Sequence, residues 1–155
     1  MCKIAVLGVG NILRSDDGVG VEAANRLAKI AWPDNVTIYD AGTAIMNMLD
    51  VFINQDILIV IDALEGGHEP GTIYRLTPEQ LGEWRREGFS LHDVQVLDML
   101  NVAALINYHP TVIIYGIEPY VLKLNLGLSE QMQASLPVLL TYVRQELSDL
   151  IEKSS

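Results

Sequence analysis

The feature that most constrains this chain is a set of unbroken apolar runs, each stopped by glycine or an acid. Lys3-Ile4-Ala5-Val6-Leu7-Gly8, Ile57-Leu58-Ile59-Val60-Ile61 and Val112-Ile113-Ile114-Tyr115-Gly116-Ile117 are near-continuous rather than alternating. A strand with one wet face alternates apolar and polar residues, so such runs suit strands covered on both faces. Between the first two lies a different rhythm. Val19, Val21, Ala23, Ala24, Leu27 and Ile30 fall at mostly helical spacing with Glu22, Arg26 and Lys29 on another face, and Pro33 stops the pattern. Val36-Thr37-Ile38-Tyr39 predicts a second strand, and Ile45, Met46, Met48, Leu49, Phe52 and Ile53 a short second helix. A turn-rich loop over 66–71 precedes a short alternating strand over 72–76, read as an edge. Thr77 should cap a brief helix with Pro78 at its first position. Helical spacing returns over 92–107 and 129–151, where Pro137 is expected to kink the last helix and residues 152–155 to fray.

This alternation predicts a three-layer α/β fold: a mainly parallel, twisted sheet of about five strands with right-handed crossovers placing helices on both faces. No composition shift, repeat or low-complexity stretch divides the chain, so residues 1–155 are expected to form a single domain.

Charge and cysteine usage narrow the function. Twenty Asp and Glu against ten Lys and Arg give a net charge of −10, which excludes the basic footprint of a nucleic-acid binder and disfavours anionic membranes. No apolar stretch reaches the length of a membrane helix, and the N-terminal apolar run is too short for a signal peptide. Cys2 is the only cysteine, so neither an internal disulfide nor a thiolate cage can form. The expectation is a reduced, cytoplasmic chain.

In open α/β sheets, ligands bind beyond the carboxyl ends of the strands. Here those ends carry Asp16-Asp17, Asp40, Asp62 and Glu118. Gly8-x-Gly10 after the first strand invites a dinucleotide site, but position 13 is Leu13 where the fingerprint needs glycine, and Asp16-Asp17 would face the pyrophosphate. Acids at a helix start also cap it, yet two adjacent carboxylates exceed what capping needs and suggest a cation beside them. Asp62 follows five apolar residues and should be buried, which requires a hydrogen bond, a partner or a metal. If the first and third strands are neighbours, Asp17 and Asp62 emerge side by side. Of the histidines, His68 reads as solvated and His109 as a surface residue, while His92 opens a helix that Ser90 or a neighbour could cap. Asp17, Asp62 and His92 together would offer two carboxylates and an imidazole to a divalent ion such as Ni, Zn, Mn or Fe, with open positions left over.

The segment Gly8-Val9-Gly10-Asn11-Ile12-Leu13-Arg14-Ser15-Asp16-Asp17-Gly18-Val19-Gly20 resembles the opening signature of the [NiFe]-hydrogenase maturation endopeptidases. Asp40-Ala41-Gly42-Thr43, Ile61-Asp62-Ala63, Ser90-Leu91-His92 with Asp98-Met99-Leu100, Gly116-Ile117-Glu118-Pro119 and Gly127-Leu128-Ser129 match further family segments in order, across nearly the whole chain. The resemblance implies a metal site of Asp17, Asp62 and His92, and an endopeptidase that removes the C-terminal extension of the hydrogenase large-subunit precursor once nickel is in place. It also implies that the nickel arrives with that precursor, held by the precursor's cysteine thiolates. Ala41 and Ile45 stand where relatives often have glycine, as does Gln95; Ile45 and Gln95 are expected to reshape the substrate cleft.

On this reading the nickel acts as Lewis acid and template, with Asp17, or Asp16 as an auxiliary, serving as general base. No Ser, Cys or Thr has a base beside it in the sequence pattern, which argues against an acyl-enzyme. The alternative is a non-catalytic nickel-binding chaperone or checkpoint for the same precursor, using the same three ligands. A phosphoesterase would want a cationic cluster that the acidic strand ends do not supply.

Overall fold

The computed structural model describes residues 1–84 and 91–154. Five strands, β1 (Ile4–Val9), β2 (Val36–Gly42), β3 (Ile57–Ala63), β4 (Ile73–Leu76) and β5 (Thr111–Ile117), form one sheet in the order β2-β1-β3-β5-β4. The four long strands run parallel, and β4 pairs antiparallel with β5 at the edge. The helices are α1 (Val19–Leu27), α2 (Leu49–Asn54), α3 (Pro78–Trp84), α4 (Leu91–Leu105) and α5 (Glu130–Ser154).

The unbroken apolar runs are explained by two cores, one on each sheet face. Ile4, Val6, Ile59, Ile61, Ile113 and Tyr115 pack with residues of α1 and α5, among them Val19, Leu27, Leu136 and Val143. Their alternate neighbours Ala5, Leu7, Leu58, Val60 and Ile114 pack with Phe52 of α2, Leu81 of α3 and Val96 and Met99 of α4. A polar residue at any of these strand positions would face a helix layer rather than water.

Local signals held in detail. Thr77 and Gln80 form a reciprocal capping box: the Gln80 N–H donates to Thr77 Oγ1 at 3.2 Å, and the Thr77 N–H to Gln80 Oε1 at 2.9 Å. Three expectations changed. The second helix begins as a 3₁₀ turn over Ile45–Asn47 before α2. Residues 152–154, expected to fray, continue α5, inside which Pro137 lies. Ile45 is fully buried among Ala5, Leu7 and Phe52, so it fills the core rather than lining a cleft.

The topology places a crevice. From β1 the chain crosses by α1 to β2, on the α5 side of the sheet; from β3 it crosses by α3 and α4 to β5, on the other side. The connections therefore diverge between β1 and β3, which is the switch point where open sheets bind ligands.

Candidate active site

Beyond β1 the backbone makes a tight excursion that presents Asp17. Gly10 has φ +143°, and a Cβ on it would lie 2.0 Å from the carbonyl oxygen of Asp17. Only glycine lets the chain cross so close. The crossing brings the Asn11 N–H to Asp17 Oδ2 at 2.9 Å. Residues Ser15–Gly18 then form a 3₁₀ turn, with Ser15 in the left-handed region at φ 52°.

Asp17 and His92 meet. Asp17 Oδ2 lies 3.1 Å from His92 Nε2, and both side chains are buried. Since an ionised carboxylate only accepts, Nε2 carries the proton, and Nδ1 of a neutral ring is left as an acceptor. Burial pushes the Asp17 carboxyl up, but the His92 hydrogen bond, followed by the Asn11 N–H and the Arg14 charge, holds it below the usual range.

Asp62, near the end of β3, is buried one strand away. Its Oδ1 accepts the Ala63 N–H at 2.8 Å. Burial pushes its carboxyl well above the usual range, and Asp93 adds to this through its charge and through a hydrogen bond that requires a proton on one of the two acids. The charge of Asp17 acts in the same direction, so all three predicted residues belong to one electrostatic neighbourhood.

Two buried atoms there are left without a hydrogen-bond partner among the described residues: Asp62 Oδ2 and His92 Nδ1. The raised Asp62 carboxyl and Asp93 share a proton, so Asp62 Oδ2 lacks a partner only once that proton leaves, whereas an unmet buried acceptor such as His92 Nδ1 costs about 1–3 kcal/mol. Among the described residues no three His, Cys, Asp or Glu side chains form a ready-made cage for an ion. The arrangement offers two lone-pair donors, from an imidazole and a carboxylate, that a cation or donor group entering from outside would complete.

Asp16 is placed otherwise than expected. Helix α1 begins at Val19 with Gly18 before it, so neither acid caps it. Asp16 Oδ2 instead accepts the Tyr120 and Val121 N–H groups and the Ser129 hydroxyl, each at 2.9 Å, while Oδ1 accepts the Ser129 N–H at 2.8 Å. Ser129 Oγ in turn caps α5 through the Met132 N–H. Fully buried and fully bonded, Asp16 is a tether for the 120–129 segment, not a free base.

Two participants escaped the sequence reading. Asp93 was hidden as an ordinary first-turn acid, and only its position next to His92 on α4 hinted at its proximity to Asp62. Tyr74, on the edge strand, donates its hydroxyl to Glu118 at 2.5 Å, and Glu118 also accepts the Gly66 and His68 N–H groups, fixing the loop beyond β3. His68 and His109 are exposed, as expected. The proposed Ser90 cap lies outside the described residues.

A family model described as hydrogenase maturation protease, HycI, matches residues 21–146, which include Asp62 and His92. The hydrogenase 2 maturation protease of Escherichia coli K12 is 32% identical over 150 residues, covering 95% of this chain and 92% of that protein. The hydrogenase expression/formation protein HupD of Bradyrhizobium diazoefficiens is 34% identical over 120 residues; the match covers 76% of this chain but only 62% of HupD. The solved structure of the hydrogenase maturating endopeptidase HybD from E. coli superposes with a TM-score of 0.88 at 32% identity, covering 95% of this chain and 93% of that one.

Proposed function

Because the chain belongs to the hydrogenase maturation protease family, we propose that it is an endopeptidase that removes the C-terminal extension of a [NiFe]-hydrogenase large-subunit precursor after nickel insertion. The observation that carries this reading is the Asp17–His92 hydrogen bond, which leaves buried His92 Nδ1 without a partner among the described residues in the same neighbourhood as the Asp62 carboxyl. A site with an open lone pair and, among the described residues, no cage of its own suits an ion that arrives held by the substrate's thiolates.

In this reading nickel is cargo of the substrate, and its contribution is to polarise the scissile carbonyl or a water. His92 and Asp62 meet the ion, while Asp17 fixes the imidazole through Nε2 and so turns Nδ1 outward, the role an outer acid plays for a metal-bound histidine. The sequence pattern pointed to Asp17 or Asp16 as base. The bonding argues against Asp16, both of whose oxygens are occupied, and leaves Asp17, held ionised and on this reading not bound to the ion, as the carboxylate that can take up a proton. The cytoplasmic location is part of this proposal and rests on the chain's cysteine usage alone.

The test is mass spectrometry of a precursor incubated with this chain, with and without nickel in the precursor. Loss of a C-terminal peptide from the nickel-loaded form alone supports the proposal. A stable complex with unchanged precursor mass would favour a checkpoint without catalysis.

A further inference from the structure

Directly after Asn11, whose N–H holds Asp17, the chain exposes Ile12 and Leu13, at 48% and 54%. A second segment far along the chain exposes Leu124 and Leu126, at 85% and 69%. The two are joined: the Asn125 N–H donates to Leu13 O and the Ser15 N–H to Asn125 O, both at 2.9 Å, in a bridge between Arg14 and Asn125. Four large apolar side chains therefore form one lip beside the candidate site, where single scattered apolar residues would need no explanation. Exposed Arg14 and Lys123 lie in the same two segments, while Glu22 and Asp40 line the hollow that Ile12 and Leu126 border on the α1 side.

We infer that this lip is the docking surface for the protein substrate, and that it takes a folded precursor presenting an apolar patch with an acidic border next to its cleavable segment. The inference rests on the proposed protease function. Two features commit the lip to that occupant. It is continuous with the site, since Ser15 Oγ donates to Lys123 O at 2.8 Å and the Asp16 N–H to Val121 O at 3.0 Å, so lip and Asp17 form one bonded unit. Its two segments carry exposed Arg14 and Lys123, which favour acidic side chains at the partner's edge.

The test compares steady-state cleavage of nickel-loaded precursor by the wild type, Leu124→Ser/Leu126→Ser, Ile12→Ser/Leu13→Ser, Lys123→Glu and a remote control, Leu105→Ser at the far end of α4. Each lip pair should raise KM about tenfold with kcat within about twofold, as loss of uniform binding does. Lys123→Glu should raise KM most at low salt, and Leu105→Ser should change nothing. Unchanged KM in folded lip variants overturns the inference while leaving the protease reading intact. So does a wild-type dimer that Leu124→Ser/Leu126→Ser dissolves. Should the wild type bind the precursor without cutting it, calorimetric binding replaces KM: binding lost in the lip pairs supports the lip, and unchanged binding overturns it. Neither binding nor cleavage by the wild type overturns both.

Discussion

Asp17 Oδ2 and His92 Nε2 are 3.1 Å apart although 75 residues separate them in the chain. The contact joins the turn after β1 to the start of α4 across the C-terminal edge of the sheet. It fixes which nitrogen of the ring remains available, and it lowers the carboxyl that makes it.

His92→Ala should therefore raise the pKa of Asp17. Burial already pushes that carboxyl up, and the imidazole contributes the largest opposing effect. A carboxyl-carbon NMR titration of Asp17 in wild type and variant measures this directly; an unchanged titration would mean that the Asn11 N–H and Arg14 suffice to hold it down.

Asp62→Asn should stabilise the fold by about 1 kcal/mol while abolishing processing, the trade-off seen where a site is kept strained for function. The amide removes the charge buried beside Asp93 and supplies it with an N–H donor. Urea unfolding gives the sign. A destabilised variant would show that Asp62 is not under electrostatic load.

Asp16→Ala should cost about 2–4 kcal/mol, because four donors to one buried carboxylate lose their acceptor together. The loss should appear in equilibrium unfolding, since Asp16 ties the 120–129 segment and the α5 cap. A stable protein with selectively lost catalysis would return Asp16 to the role of base.

What could be read from the sequence divides along a physical line. The strands, the edge position of β4 and the Thr77 cap follow from local patterns of two to eight residues, which periodicity and capping chemistry record directly. The adjacency of Asp17 and Asp62 followed from topology, since β1 and β3 are neighbours. The tether at Asp16 was invisible because its partners Tyr120, Val121 and Ser129 lie more than a hundred residues away and donate mostly main-chain N–H groups, which leave no residue-type signal. Asp93 was hidden for a different reason: an acid in the first turn of a helix has an ordinary explanation in the macrodipole.

Away from the site, Glu146 accepts from Arg75 Nε at 2.7 Å and from the Tyr115 hydroxyl at 2.8 Å. Burial pushes this carboxyl up, but the two hydrogen bonds and the Arg75 charge leave it below its ordinary range. A depressed carboxyl contributes stability above its unfolded pKa, and that contribution is lost as pH falls through the lower folded value. Glu146→Gln should therefore flatten the acid limb of the stability curve below about pH 4.5. Arg75 is more than half exposed, so the change at neutral pH should stay within about 1 kcal/mol. An unaltered acid limb in urea titrations would show the pair to be fully screened.

In the proposed reaction Asp17, Asp62 and His92 act together on a nickel-bearing precursor. The most direct measurement is the mass of that precursor over time with the wild type and with Asp17→Asn, Asp62→Asn and His92→Ala, each first shown to be folded. The wild type should release a C-terminal peptide, and each variant should slow release by about a hundredfold or more. Release at the wild-type rate by all three variants would contradict the joint role of these residues.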